Sequence, residues 1–199
     1  MTYWIGVSTP EVFEDASRKY NLDGPRPFGF PTGRQPSVEQ MEVDDLIVNY
    51  MTKRKVFFAV WKIIERHKHI PEYILAGTPF PECVTVIRDA VLPPERGISF
   101  DQIKNRLRAF EELKNPKRWS ALVRQSARRF KYEDDGEIIL NALRAKGDEK
   151  SRLAAEEETS RQVTLAEQAR RPGQQEFSTM LRRNYRGRCA ITKSALQSR

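Results

Sequence analysis

The chain has 199 residues, 39% of them hydrophobic, with 35 Lys and Arg against 27 Asp and Glu for a formal charge of +8. That length suits one domain of about 150 residues with a real core plus an appendage, and the cationic surplus favours a polyanionic partner. Cys83 and Cys189 offer neither a disulfide framework nor a zinc spacing, the opening MTYWIGVST lacks the parts of a secretion signal, and no apolar run approaches a bilayer span, so a soluble cytoplasmic protein is expected.

Tyr3 to Val7 is an aromatic and β-branched run suited to a buried strand. Ser8-Thr9-Pro10-Glu11 then reads as a helix start, with Ser8 and Glu11 at capping-box spacing and Pro10 in the first turn. Val12, Phe13, Ala16 and Tyr20 give that helix one apolar face. Residues 21–36 hold Gly24, Pro25, Pro27, Gly29, Pro31, Gly33 and Pro36, a composition that predicts a long loop. Phe28 and Phe30 within it argue for a functional loop rather than a disordered linker.

Regular structure resumes with a turn through Val43-Asp44-Asp45 and a strand from Leu46 to Tyr50, and KVFFAVWKII reads as its hairpin partner. A further strand covers Cys83 to Ile87. Ser99 and Gln102 have capping-box spacing, and Ile103, Leu107, Phe110 and Leu113 share a helical face after them. Trp119, Leu122, Val123 and Phe130 suggest another turn or two, and Ile138, Ile139, Ala142 and Leu143 a last helix. Residues 146–170 are rich in Glu, Ala, Arg and Gln, too polar for a core, and read as a charged, partly helical linker.

Cations cluster along this order. Lys114, Lys117, Arg118, Arg124, Arg128, Arg129 and Lys131 follow one another without an acid, Lys53, Arg54, Lys55, Lys62, Arg66 and Lys68 are diluted only by Glu65, and Arg182, Arg183, Arg186 and Arg188 lie near the end. Each cluster is either a solvated face or a phosphate-binding surface; the phosphate-contact candidates are Lys53, Arg54, Lys55, Lys117, Arg118, Arg124, Arg128 and Arg129. His67 and His69, two apart on an expected loop with no carboxylate or thiol cluster nearby, do not read as metal ligands. Glu133, Asp134 and Asp135 suit a helix N-terminus better than acid/base chemistry. There is no Gly-rich phosphate loop and no nucleophile elbow.

Two resemblances add to this reading. The Tyr3-Trp4-Ile5 strand, the capped helix, Gly33-Arg34 and the Met41-to-Tyr50 stretch, with RWSALVRQSARRFKYEDDGEIILNAL later, make residues 1–145 resemble the EVE domain of the PUA-like superfamily. Arg171, Gly173, Gln174, Phe177, Leu181, Tyr185, Gly187, Cys189, Ala190, Ile191 and Thr192 make residues 171–199 resemble the entry segment of HNH-type restriction nucleases. The family's metal-binding and general-base histidines come after such a segment and are not in this sequence, so no nuclease activity is expected from the chain alone. No cofactor is expected either, a divalent metal belonging only to an intact HNH domain.

The resemblances imply an α+β fold, a small twisted β-barrel flanked by helices, followed by a helical linker and a truncated tail. They imply a reader of modified bases, 5-methylcytosine or 5-hydroxymethylcytosine in double-stranded DNA, taken by base flipping as the recognition part of a modification-dependent restriction system. A dimer, or pairing with a separate nuclease part, would fit. A PUA-like RNA-binding module and a non-nucleic interaction protein are the alternatives. Candidates for the base pocket are Trp4, Ser8, Phe28, Phe30, Thr32, Gly33, Arg34, Asn49, Tyr50, Trp61 and Trp119. Of these, Trp4, Tyr50 and Trp61 are more often core than pocket residues, Trp119 also reads as a staple of its helix, and Ser8, Thr32, Arg34 and Asn49 are more often ordinary surface contacts.

Overall fold

A computed structural model describes residues 1–113, 115, 120–123, 125–169, 177, 179–181 and 183. The chain divides into two units, Met1–Lys150 and Ser151–Arg199. In order, the first holds β1 (Tyr3–Ser8), α1 (Pro10–Lys19), β2 (Arg26–Phe30), α2 (Gln35–Val38), β3 (Leu46–Met51), β4 (Val56–His69), β5 (Ile74–Leu75), β6 (Thr78–Pro79) and β7 (Glu82–Val91). There follow β8 (Ile98–Ser99), α3 (Phe100–Ile103), α4 (Arg108–Glu111), α5 (Ser120–Val123), β9 (Arg128–Arg129) and the start of α6 (Glu133–Ala169).

The strands form one curled, half-barrel sheet in the order β2-β7-β4-β3-β1-β9, with β8 added to β4, while β5 and β6 make a separate two-stranded hairpin. β1 runs parallel to β3, and the other pairings are antiparallel. The α+β class and the curled sheet with flanking helices match the architecture that the sequence implied.

Alternation along the strands sends side chains to two cores. Leu46, Val48 and Tyr50 of β3 join Phe57, Phe100, Ile139 and Leu143 beneath the later helices. Ile47 and Met51 face the other way, toward Trp4, Phe28, Phe58 and Trp61. The β3–β4 register slips between Asn49 and Tyr50, so that Phe58 has no opposite residue. Such a bulge bends the strand and turns adjacent Phe58 and Ala59 to the same core.

Several expectations are corrected. Residues 26–30 are strand, not loop, because β2 is the sheet's edge, where Pro27 costs no ladder bond. Phe28 and Phe30 therefore sit on an alternating buried face instead of a free loop. Thr9, not Ser8, caps α1, its Oγ1 accepting from Val12 N at 3.4 Å; Ser8 is the last residue of β1. The helical face expected from Ile103 to Leu113 is broken into α3, a 3-10 turn at Lys104–Arg106 and α4. His67 and His69 lie on β4, not a loop, and both bond the buried Glu82 carboxylate, at 2.6 and 3.0 Å. Among the described residues no set of three His, Cys, Asp or Glu side chains is arranged to hold a metal, and no helix is long and apolar enough to cross a membrane.

The Ser99–Gln102 capping box is present, with Gln102 Oε1 accepting from Ser99 N at 2.9 Å. α6 is helical through the whole of residues 146–169, where only partial helix was expected. Of the tail, only helical residues 177, 179–181 and 183 are described.

Candidate functional site

Where α1 and the β5–β6 hairpin meet β1, β2 and β3 lies a pocket with a cavity volume of about 30 Å³. Its apolar wall includes Val12, Phe13, Phe28 and Phe80, and its polar groups come from Ser8, Asn49 and Arg26. Two glycines make the wall possible. A Cβ at Gly6 would stand 2.8 Å from Phe28 Cζ, and one at Gly29 would stand 2.5 Å from Tyr73 Cε1 and 2.6 Å from the Phe80 carbonyl. Without side chains at these positions, the tip of the Phe28 ring comes up against β1 and the hairpin closes onto β2. The Tyr73 hydroxyl fastens that closure by donating to the Pro27 carbonyl at 3.0 Å. Burial pushes this phenol well above its ordinary range, keeping the proton on.

The polar groups are unequal. Ser8 Oγ donates to Asn49 Oδ1 at 3.1 Å, and both residues are buried. This bond leaves the Asn49 amide nitrogen as donor and the serine oxygen as acceptor for a ligand. Arg26 opens β2 on the face shared with Phe28 and Phe30 and is only 4% exposed. Its guanidinium carbon lies 3.9 Å from the centre of the Trp61 ring. Desolvation lowers its pKa to about 10, so it remains a cation at neutral pH. Its Nε has no hydrogen-bond partner, and neither has the Nε1 of Trp61. Buried cations are ordinarily paired with a carboxylate; among the described residues none pairs with Arg26.

The sequence candidates distribute around this arrangement. Ser8, Phe28 and Asn49 line the pocket. Trp61 lies beneath Arg26, fully buried. Trp4 is a core residue whose Nε1 donates to Asp45 Oδ2 at 2.9 Å. Asp45 also accepts from Thr2 N and Glu42 N, so it braces the turn in which Asp44 adopts a positive φ of 74°. Phe30 is fully buried, and Tyr50 belongs to the opposite core, 5.1 Å from the Phe57 ring. Thr32 and Gly33 are exposed in the turn after β2, and Arg34 precedes α2; none of the three lines the pocket. Trp119, Lys117, Arg118 and Arg124 lie outside the described residues.

Lys53, Arg54 and Lys55 occupy the β3–β4 turn, which is tied to the pocket because Thr52 N donates to the Ser8 carbonyl at 3.0 Å. Lys53 pairs with Glu11, and Arg54 with Glu95 at 2.8 Å, all of them exposed. The Lys53 ammonium holds the Glu11 carboxyl down to about 2. Arg128 and Arg129 form β9, where Arg128 donates to the Ala121 carbonyl at 3.3 Å and Arg129 pairs with Glu133 at 2.9 Å. Arg26 and Gly29 had no distinct sequence signal apart from the alternation Arg26-Pro27-Phe28-Gly29-Phe30, which the two prolines and glycines on either side conceal.

No protein-family model and no curated protein matches the chain. Among solved structures, the crystal structure of the MmI1 YTH domain has a TM-score of 0.50 at 7% identity, covering 73% of this chain and 96% of that one. That likeness shows a shared fold. Human THYN1, crystallised in complex with 5-methylcytosine containing DNA, has a TM-score of 0.49 at 14% identity, over 72% of this chain and 98% of that one. Rpa0253 from Rhodopseudomonas palustris has a TM-score of 0.47 at 12% identity, over 72% and 93%.

Proposed function

We propose that the chain is a nucleic-acid reader whose pocket between β1, β2 and β3 receives a modified cytosine taken out of the DNA stack. The observation that carries this reading is an apolar, aromatic pocket with three convergent polar residues, one of them a buried arginine lacking a protein acceptor. Apolar walls with a few placed polar groups are what a small planar ligand needs. The EVE-like residues of the sequence point to the same chemistry.

The energies are compatible. A methyl in a fitted pocket contributes about 1–3 kcal/mol, and unstacking a base costs a few kcal/mol. Stacking on an aromatic such as Phe28 returns roughly 1–3 kcal/mol. The remainder comes from phosphates. Lys53, Arg54 and Lys55 stand beside the pocket, and the exposed pairs with Glu11 and Glu95 are weak enough to be exchanged for phosphate oxygens. A cavity of about 30 Å³ holds on the order of two waters, so the pocket must open for a base. The β5–β6 hairpin is not part of the main sheet, so its displacement would leave the main ladder intact.

The HNH-like residues from Arg171 to Thr192 support a finer reading, in which this domain is the recognition part of a modification-dependent restriction system and cutting belongs to an intact nuclease domain. The test is competition binding with duplexes that differ only in one base: cytosine, 5-methylcytosine, 5-hydroxymethylcytosine or N6-methyladenine, with single-stranded RNA as a further arm. Preference for a modified cytosine, with affinity falling steeply as salt rises, is the expected result. Equal binding to modified and unmodified DNA overturns it.

A further inference from the structure

We propose that Arg26 is the specificity-determining residue of this pocket, and that its guanidinium fork selects a base with two adjacent hydrogen-bond acceptors on its Watson–Crick edge, which means cytosine and not adenine. This rests on the pocket being a base site, as proposed above. It adds which side chain decides between cytosine and the other bases.

The inference stands on three features. Arg26 is only 4% exposed, it lines the pocket, and its Nε lacks a partner. The guanidinium carbon lies 3.9 Å from the centre of the Trp61 ring, a cation–π contact that uses up no N–H donor. A guanidinium has only donors, arranged as a planar fork, and a matching ligand presents two acceptors side by side. On the Watson–Crick edge, cytosine carries O2 next to N3, both acceptors. Adenine has N1 beside the N6 donor, thymine has N3–H between its carbonyls, and guanine has two donors after O6. Only cytosine meets the fork with two acceptors. The remaining cytosine group, the N4 amine, is a donor, and the lone pairs of Ser8 Oγ, which already donates to Asn49, are a suitable acceptor. C5 carries the mark and needs no polar partner, which suits the apolar wall of Phe28 and Phe80.

The opposite choice leaves a defect. With N6-methyladenine in the pocket, the buried cation keeps at least one unmet donor, and sites built for a hydrogen bond reject ligands that cannot make it far more strongly than they reject a missing methyl.

The experiment compares wild type, Arg26→Met and Arg26→Lys in competition binding with duplexes bearing 5-methylcytosine, N6-methyladenine or 5-methyl-2-thiocytosine, the last replacing O2 by a poorer acceptor. For wild type, 5-methylcytosine is expected to win over N6-methyladenine by at least about tenfold, in the range of one good bidentate contact. Arg26→Met brings that ratio to within about twofold, and Arg26→Lys, a point charge without the fork, falls between. The thio substitution weakens wild type at least about threefold and leaves Arg26→Met unchanged. Because the thio duplex is read with unaltered protein, it decides the matter even if a variant fails to fold. Wild type that prefers 5-methylcytosine yet binds the thio duplex equally well overturns this assignment and leaves the reader function standing, as does a folded Arg26→Met protein that keeps the full preference. Wild type that binds modified and unmodified duplexes equally overturns both.

Discussion

The two faces of the same sheet are built to different standards. On the helix-covered face, Asp135 is almost fully buried, and its carboxylate accepts from Arg108 N at 2.7 Å and Ala109 N at 3.0 Å, capping α4 from the first turn of α6. α6 approaches β1 so closely that a Cβ at Gly136 would stand 2.2 Å from Tyr3 Cγ. On the pocket face lie both of the buried side-chain nitrogens without partners among the described residues, Arg26 Nε and Trp61 Nε1. A face that only has to be stable satisfies its polar groups internally. Of the two residues only Arg26 lines the cavity, and there a ligand that enters can supply the acceptor that the protein does not.

Breaking the helix-covered face should therefore cost stability and spare recognition. Ile139 is fully buried there, and Ile139→Ala should lower unfolding free energy by about 2–5 kcal/mol. For a domain of this size the melting temperature then falls by several degrees. Nucleic-acid affinity measured well below the transition should stay within about twofold. A large loss of affinity in a folded Ile139→Ala protein would show that the two faces are coupled.

Gly6→Ala tests the pocket face at a smaller cost. The new methyl meets Phe28 Cζ at 2.8 Å and Ile47 Cγ2 at 2.9 Å, and relief of such overpacking costs roughly 1–3 kcal/mol. Phe28 must shift along with Ile47, and Phe28 lines the pocket, so affinity for a modified duplex should fall at least about tenfold while Ile139→Ala, equally or more destabilised, keeps it. Isothermal titration on both variants at one temperature separates them.

How much of this was legible depends on what each residue is decided by. β1, β3 and β4 follow from local runs such as Tyr3-Trp4-Ile5 and Val56-Phe57-Phe58, because β-branched and aromatic side chains suit a pleated surface wherever it lies. β2 was hidden because Pro27 and Gly29 are excluded from a central strand and permitted at an edge, and edge position is a property of the finished sheet. Ser8 and Asn49 were recognisable as candidates by type, but their mutual bond joins residues 41 apart in sequence. Arg26 was not recognisable, since a lysine or arginine beside prolines reads as solvated until tertiary packing buries it.

Alkaline pH should loosen the pocket side first. Burial raises the Cys83 thiol from 9.0 to about 12 and raises the Tyr73 phenol as well, and both lie in the small core under the hairpin. A raised folded-state value means the stabilisation is complete below the unfolded value near 9 and is lost as pH climbs toward about 12. Each such group can add a slope of up to about 1.4 kcal/mol per pH unit. Melting temperature recorded from pH 8 to 10.5 should decline, and Cys83→Ala should flatten part of the decline. An unchanged slope would place the alkaline sensitivity elsewhere.

The smallest expected change is the most diagnostic, because its sign is unusual. Most substitutions at buried positions destabilise, yet Arg26→Met should leave the free protein as stable as wild type or raise its unfolding free energy by about 1 kcal/mol. The guanidinium is buried with an unmet Nε and no carboxylate among the described residues, so folding desolvates a cation that the Trp61 contact and the nearby Tyr73 only partly compensate. Met keeps the unbranched stem and packs on the same ring without that cost. The matching measurement is thermal unfolding with and without a modified duplex. Ligand should stabilise wild type more than Arg26→Met, since binding supplies the acceptor only to the side chain that lacks one. A variant that is less stable without ligand by 2 kcal/mol or more, on the order of an ordinary core loss, would mean that Arg26 is a structural cation after all, and the contrast between the two faces would lose its meaning.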